Sequence, residues 1–422
     1  MEGFAGLSHL YVTIFLSGFG GVIALTAITD VTMDALCPGQ DQCSLAIYLT
    51  GIQQAKKKLS KSGIVLQVAG VGSVLVTPLI GNLSDKYGRK TLITLPLTLT
   101  VIPQVILAYS RETKFFYAYY AVKTLAAMVG EGSFHCLSCT YVADMVPHGK
   151  RTSSFGALAG VGSATFVCGS LAARFLSTAL TFQVAAVSSM IALVYMRIFL
   201  KESVPGVGTS QPLLKEGEEP CPGDDSSRKT TAFKKLPSLW DLIRLLKCSP
   251  TFSQVAIVSF FNSLVASGLL AVLLYYLKAR FQFNKDQFAT TMMITAVGAT
   301  FAQLFFMPLL VSVMGEEKLL STALLVNCID VLVYSVAWSP WVPYALAVFS
   351  VFSVFSGPSL SSIASKQVES NEQGMVQGCL SGISSFASII APLVISPLTD
   401  DSICSESNDP CCSSSSYCGW HN

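Results

Sequence analysis

The sequence predicts an all-α, polytopic membrane protein made of two pseudo-symmetric helical bundles, with six spans in the first and five in the second. Three observations carry this expectation. Across 422 residues, 51% are hydrophobic and 12% charged, and the mean hydropathy is +0.56, more apolar surface than a water-facing shell of ordinary charge content can cover. Apolar runs of about 20 residues, enough to cross about 30 Å of hydrocarbon, recur with short polar breaks between them. One long polar interval, residues 201–250, separates six such runs from five.

The first run, HLYVTIFLSGFGGVIALTAIT, follows only Glu2, with no basic segment before it. It is longer than a signal-peptide core, so it reads as a retained span. Within the first bundle, residues 1–200, spans are expected near 9–30, 62–80, 91–109, 115–143, 153–175 and 179–200. The interval 201–250 contains SVPGVGTSQPLLKEGEEPCPGDDSSRKT, which cannot bury enough apolar area to offset its ordering entropy and reads as a cytoplasmic linker. Within it, Trp240 to Leu246 reads as a short interfacial amphipathic helix. The second bundle, residues 251–397, holds spans near 251–275, 287–311, 318–338, 341–363 and 375–397, and a polar Ser/Cys-rich tail occupies 398–422.

Several function classes drop out. The net charge of +2, with no basic run interleaved with aromatics, gives no basis for nucleic-acid binding. No GxxxxGK loop is present, so a nucleotide is not the expected driving force. No nucleophile, base and orienting acid recur at usable spacing, so an enzyme is not expected, nor is a cofactor or a metal site.

GNLSDKYGRK at 81–90 sits between two apolar runs, on a hairpin with room only for a tight turn at the membrane surface. Gly81 and Gly88 permit close helix approach or positive φ. Asp85 is suited to the amide end of a neighbouring helix, Arg89 presents a fork of donors for a carboxylate, and Lys90 adds a further cation. Asp144, where the fourth span emerges, is a candidate partner for Arg89. A fainter copy appears at MPLLVSVMGEEKLL, 307–320, which also closes a span with Pro-Leu and turns through Gly into charge, the internal repeat from which transporters are built. Alternate loop assignment puts the larger share of the 27 Lys and Arg residues on the side of the 81–90 hairpin, which is then cytoplasmic; Lys56 to Lys61 run against the trend.

GNLSDKYGRK resembles the loop-2/3 signature of the major facilitator superfamily, and Ala143, Asp144, Pro147 and Arg151 resemble its loop-4/5 feature. Over about residues 1–397 the chain is similar to the hippocampus abundant transcript-like branch, which is related to tetracycline-resistance-type carriers. The resemblance implies two bundles rocking about a central site. It also implies that Gly81, Asp85, Gly88, Arg89, Lys90, Asp144 and Arg151 form a gating charge cluster, made in one access state and broken in the other; the alternative is a plain headgroup anchor. Two departures stand out. The fifth span carries Gly156, Gly160, Gly162 and Gly169 but lacks the family's Gly-Pro and paired glycines, and polar sequence stands from 398 where a twelfth span is expected.

Ionisable groups inside spans are costly and are therefore functional candidates. The fourth span carries Lys123, Glu131 and His135, the last two on one helical face. Glu131 is the first candidate for proton coupling, with His135 sharing the load; the competing reading is a neutral Glu pinning helices together. Asp30 at the end of the first helix is either a wet group at the pathway mouth or an ordinary helix-end charge. Asp330 in the ninth span is expected to bond a neighbouring helix. Asn262, Gln303 and Gln377 are candidate substrate contacts or interhelical glue. Cys37 and Cys43 form a candidate disulfide across the first non-cytoplasmic loop, whereas Cys136 and Cys139 mimic a redox pair in an apolar helix without basic partners.

The resulting expectation is a secondary transporter of a small organic solute, multi-pass in a lipid bilayer and coupled to H+. The alternative is a truncated, non-transporting isoform or substrate sensor.

Overall fold

The computed structural model describes residues 2–36, 68–203, 250–369 and 372–406. Most of the expected linker, the Trp240–Leu246 helix, Cys37, Cys43 and the tail beyond Glu406 lie outside the described residues. Among the described residues the chain is helical and contains no strand, as the bilayer demands of any segment whose backbone polar groups must all be satisfied internally.

The first half holds α1 (Glu2–Leu36), α2 (Val68–Tyr87), α3 (Arg89–Tyr109), α4 (Thr113–Met145), α5 (Arg151–Phe175) and α6 (Thr178–Phe199). The second begins with α7 (Pro250–Phe281) and α8 (Lys285–Phe301), which runs through a π-turn (Ala302–Phe306) into α9 (Met307–Met314). After α10 (Glu316–Ser335), α11 (Val342–Phe349) passes through a 3-10 segment (Ser350–Phe355) into α12 (Ser356–Lys366), and α13 (Gln373–Glu406) follows. The helix thus continues past 398, where the sequence turns polar. Nine helices among the described residues are long and apolar enough to cross a membrane. α2 and α4, at the expected spans 62–80 and 115–143, are outside the nine; they bear Asp85 and the Lys123, Glu131, His135 set.

Spans rich in Ser and Thr satisfy their hydroxyls within the helix by folding them back on the preceding turn, as in Thr94 to the Lys90 carbonyl at 2.9 Å and Thr124 to that of Tyr120 at 2.9 Å. Large apolar side chains such as Phe175, Ile198, Val313 and Leu332 point outward and exposed. So much outward apolar surface suits lipid.

Each half has its own core. Leu10, Ile93, Leu137, Tyr141, Phe155 and Met196 join helices of the first half, and Phe252, Leu360, Val376 and Leu380 join helices of the second. Between the halves, α2 and α4 pack on α13, while α5 packs on α8 and α12. The α2–α13 seam is the tightest. A Cβ on Gly81 would collide with the Gly374 carbonyl, and one on Gly374 with the Gly81 carbonyl, so only glycine permits this backbone approach.

The two irregular segments precede prolines. Pro358 cannot supply the amide that would bond the Val354 carbonyl, and Gln303 Nε2 donates to that carbonyl instead, at 3.3 Å. The π-turn likewise ends against Pro308. In a membrane such breaks persist where a neighbouring side chain satisfies the freed group.

Candidate functional site

Two features meet where the halves touch: a polar clasp at one end of the molecule and a cavity above it. The clasp grows from the sharp turn between α2 and α3. Gly88 holds φ 91°, a left-handed value that favours glycine, and starts α3 without a side chain of its own to cap it. Glu202, just after α6, supplies the cap, accepting from the amides of Arg89 at 2.5 Å and Lys90 at 3.2 Å, which places its carboxylate at the positive end of the helix. Lys90 enters the clasp through this backbone amide.

Arg89 is fully buried. Its Nε donates to Asp144 Oδ2 at 2.8 Å, Nη1 donates to Ser84 Oγ at 2.6 Å, and Nη2 lies 2.5 Å from Asp85 Oδ1. Asp85 faces the other half. Its two oxygens accept from the amides of Gly374 and Met375, each at 3.0 Å, so the carboxylate caps the N-terminus of α13. Burial raises the Asp85 carboxyl to about 6, against the lowering pull of Arg89 and the two amides. Gly81 lies in the same seam.

Arg151, at the start of α5, does not donate to Asp144. It reaches across to the end of α12, with Nη1 donating to the Ser365 carbonyl at 2.9 Å and to Ser365 Oγ at 2.8 Å. Beside it Thr152 Oγ1 donates to Glu316 Oε2 at 2.7 Å, and Glu316 pairs with Lys366. Glu316, Lys366, Glu202, Ser365 and Gln373 were not among the sequence candidates. The signal was present for two of them: Glu316 sits in the GEEK turn of the second copy, and Lys366 precedes Gln373 by seven residues, as Asp144 precedes Arg151.

Above the clasp, between the halves, lies a cavity of about 680 Å³, within the usual range for small-molecule sites. His135 faces it from α4, with Cys139 one turn on. Asn262, Gln303 and Gln377 also line it, each with a helix-to-helix contact: Asn262 Oδ1 accepts from Asn327 at 3.4 Å, Gln303 Oε1 from Ser163 at 3.2 Å, and Gln377 Nε2 donates to the Ser361 carbonyl at 3.0 Å. Lys123 is half-buried on α4 and is not among the described lining residues. The side chains of Glu131 and Asp30 lie outside the described residues. Asp330, expected to bond a neighbouring helix, is buried on α10 with Oδ1 lacking a hydrogen-bond partner among the described residues. Cys136 and Cys139 are free thiols.

A model of the Major Facilitator Superfamily matches residues 10–392. The chain is 23% identical over 376 residues to the class H tetracycline resistance protein of Pasteurella multocida, covering 88% of this chain and 87% of that one. It is 23% identical over 398 residues to the hippocampus abundant transcript 1 protein of Homo sapiens, covering 92% and 72%. Its fold is similar to that of the human organic anion transporter MFSD10 (TETRAN), with a TM-score of 0.74 at 18% identity, covering 93% of both chains. The chain belongs to the Major Facilitator Superfamily; it is a multi-pass membrane transporter and not an enzyme.

Proposed function

We propose that this family member is a secondary carrier of a small organic solute, driven by protons, in which six spans rock against five about the central cavity. The observation that carries the reading is Asp85. A carboxylate on one half caps a helix of the other, and Arg151 to Ser365 repeats the crossing from the other side of the seam. Such contacts exist only while that end is shut, and a bistable element needs contacts that differ between its states. On the charge asymmetry of the loops this end is cytoplasmic, so the conformation described has the cytoplasmic gate closed beneath the substrate chamber. In this reading the seven residues of the hairpin and loop set gate access. Glu131, four residues before the cavity-lining His135 on α4, carries the proton.

Two experiments test the parts separately. Cysteines placed at 85 and 375 should cross-link in membranes, and the cross-link should block labelling of cavity positions from the cytoplasmic side; labelling unchanged by the cross-link would remove the gate. In proteoliposomes, Glu131→Gln should abolish solute accumulation driven by a pH gradient while solute exchange persists. Gradient-driven accumulation at the level of the unaltered protein would take Glu131 out of the coupling path. A folded protein that moves no solute in either direction would favour the sensor reading instead.

A further inference from the structure

Midway along α5 the two halves meet again, away from the clasp and through neutral groups. Ser163 Oγ donates to Gln303 Oε1 on the π-turn that follows α8, at 3.2 Å. Gln303 Nε2 donates at 3.3 Å to the Val354 carbonyl, the one that Pro358 leaves without its helical amide. A carbonyl can only accept, so the Val354 bond fixes which end of the Gln303 amide faces Ser163. One side chain thus joins the first half to both broken helices of the second, and it stands in the chamber wall.

The packing around this bridge is close. A Cβ on Gly160 of α5 would crowd Leu304 and Gln303, and one on Gly156 would collide with Met307, so α5 lays its small face directly on the π-turn. Gln303 is 5% exposed, and single π-turns inside helices recur at functional sites. Ser163 has two acceptors to choose from. Its hydroxyl stands 3.2 Å from Gln303 Oε1 and 3.3 Å from the Ala159 carbonyl of its own helix, and one proton serves one of them at a time. Giving up Gln303 therefore leaves no buried donor unpaired, and the bond between the halves is cheap to release.

We propose that Gln303 is a positioning residue of the rocking step. While the clasp is shut, the Ser163 hydroxyl donates to Gln303 Oε1 and pins α5 to the π-turn; as the halves part, it turns back to the Ala159 carbonyl. Gln303 Nε2 keeps the Val354 carbonyl satisfied in both states, so the 3-10 segment travels with α8 and only α5 is let go. A contact that differs between the states in this way biases their populations. The inference rests on the transport reading, because it needs halves that move.

The test reads the distance between genetically encoded spin labels at 150 and 318, exposed positions at the clasp end of each half, in the full chain. Asp85→Asn, which weakens the clasp itself, is the reference and should add a long distance to the short one. Ser163→Ala should raise the ratio of long to short by about threefold to tenfold. Thr300→Ala, whose hydroxyl bonds the Ala296 carbonyl of its own helix at 2.8 Å, should leave the ratio unchanged. Gln303→Leu is made together with Pro358→Ala, which returns an amide to the Val354 carbonyl. Relative to Pro358→Ala alone, the pair should shift the ratio as far as Ser163→Ala does, and adding Ser163→Ala should shift it no further. A merely structural Gln303 would leave the pair equal to Pro358→Ala; that result, or an unshifted Ser163→Ala, would overturn the proposal. Should the pair fail to fold, Ser163→Ala against Thr300→Ala decides alone. A single distance in every variant, Asp85→Asn included, would instead remove the rocking itself, so the two readings fail in different ways.

Discussion

The turn after α2 and the turn after α9 are two copies of one device with the charges exchanged. Both pass through a glycine with positive φ, Gly88 at 91° and Gly315 at 79°, and both start the next helix there. The first residue of that helix pairs with the end of another helix of the same half: Arg89 with Asp144 in the first copy, Glu316 with Lys366 in the second. Seven residues on from that partner stand Arg151 and Gln373, and both donate to the Ser365 carbonyl. The backbone geometry is thus repeated while the sign of each charge is inverted. What was kept is a pair of opposite charges at the foot of each half, whichever residue carries which.

The copies differ in burial, and burial sets what each is worth. The Arg89 side chain is 0% exposed and bonded to both carboxylates, whereas Lys366 is 34% exposed. A buried pair broken on one side leaves an uncompensated charge, but an exposed pair is screened by water. The first copy also reaches the other half through a charged cap, Asp85 on α13, while the second reaches it through a neutral hydroxyl, Thr152. The first copy is the stronger latch.

The largest effect expected is therefore that of Arg89→Ala, which strands Asp85 and Asp144 and should destabilise the protein by about 3–5 kcal/mol, visible as a collapse of Tm and of membrane yield. A change no larger than that of Glu316→Gln would erase the distinction between the copies. Next is Asp85→Asn, which puts an amide nitrogen where one of the two oxygens accepts from the α13 amides; an NH2 group cannot accept, so this should lower the 85-side closure by roughly tenfold, at about 1–2 kcal/mol for a helix cap, read as increased labelling of cavity cysteines from the clasp side. Its pH dependence sharpens the test. In the closed clasp the Asp85 carboxyl titrates at about 6, above its ordinary 3.8, so the closed form holds its proton more tightly than a water-exposed open form. Closure should then strengthen as pH falls through about 6 toward 4 and be independent of pH above that window, and Asp85→Asn should remove the dependence. Smallest is the double exchange Glu316→Lys with Lys366→Glu, which preserves the pair and should move stability by no more than about 1 kcal/mol. A loss comparable to Arg89→Ala would mean that the sign of the second copy is fixed by its neighbours.

Much of the first copy could be read from the chain because its residues are close together. Asp85 and Arg89 are one helical turn apart, and the polar hairpin stands out between apolar runs. Asp144 could be reached because it ends a span on the same side. The second copy was visible as a repeat, yet nothing in its sequence marks Glu316 as the counterpart of Arg89 with its charge inverted. Its partner is 50 residues away, and nothing local marks Lys366 as different from other loop cations. Arg151 was grouped with Asp144, and the structure gives its Nη1 to Ser365. Ser163 carried no signal at all, since a membrane helix uses serine equally for packing and for solvation.

By itself the sequence determined the class, the helical content and the charged hairpin, because hydropathy and turn chemistry act over a few residues and the bilayer leaves a helix no alternative to bonding its own backbone. Tertiary structure alone decided which face of each helix meets the chamber and that a carboxylate of one half caps a helix of the other some 290 residues away. Both depend on helix rotation, which is set by packing between distant segments rather than by any window of the chain.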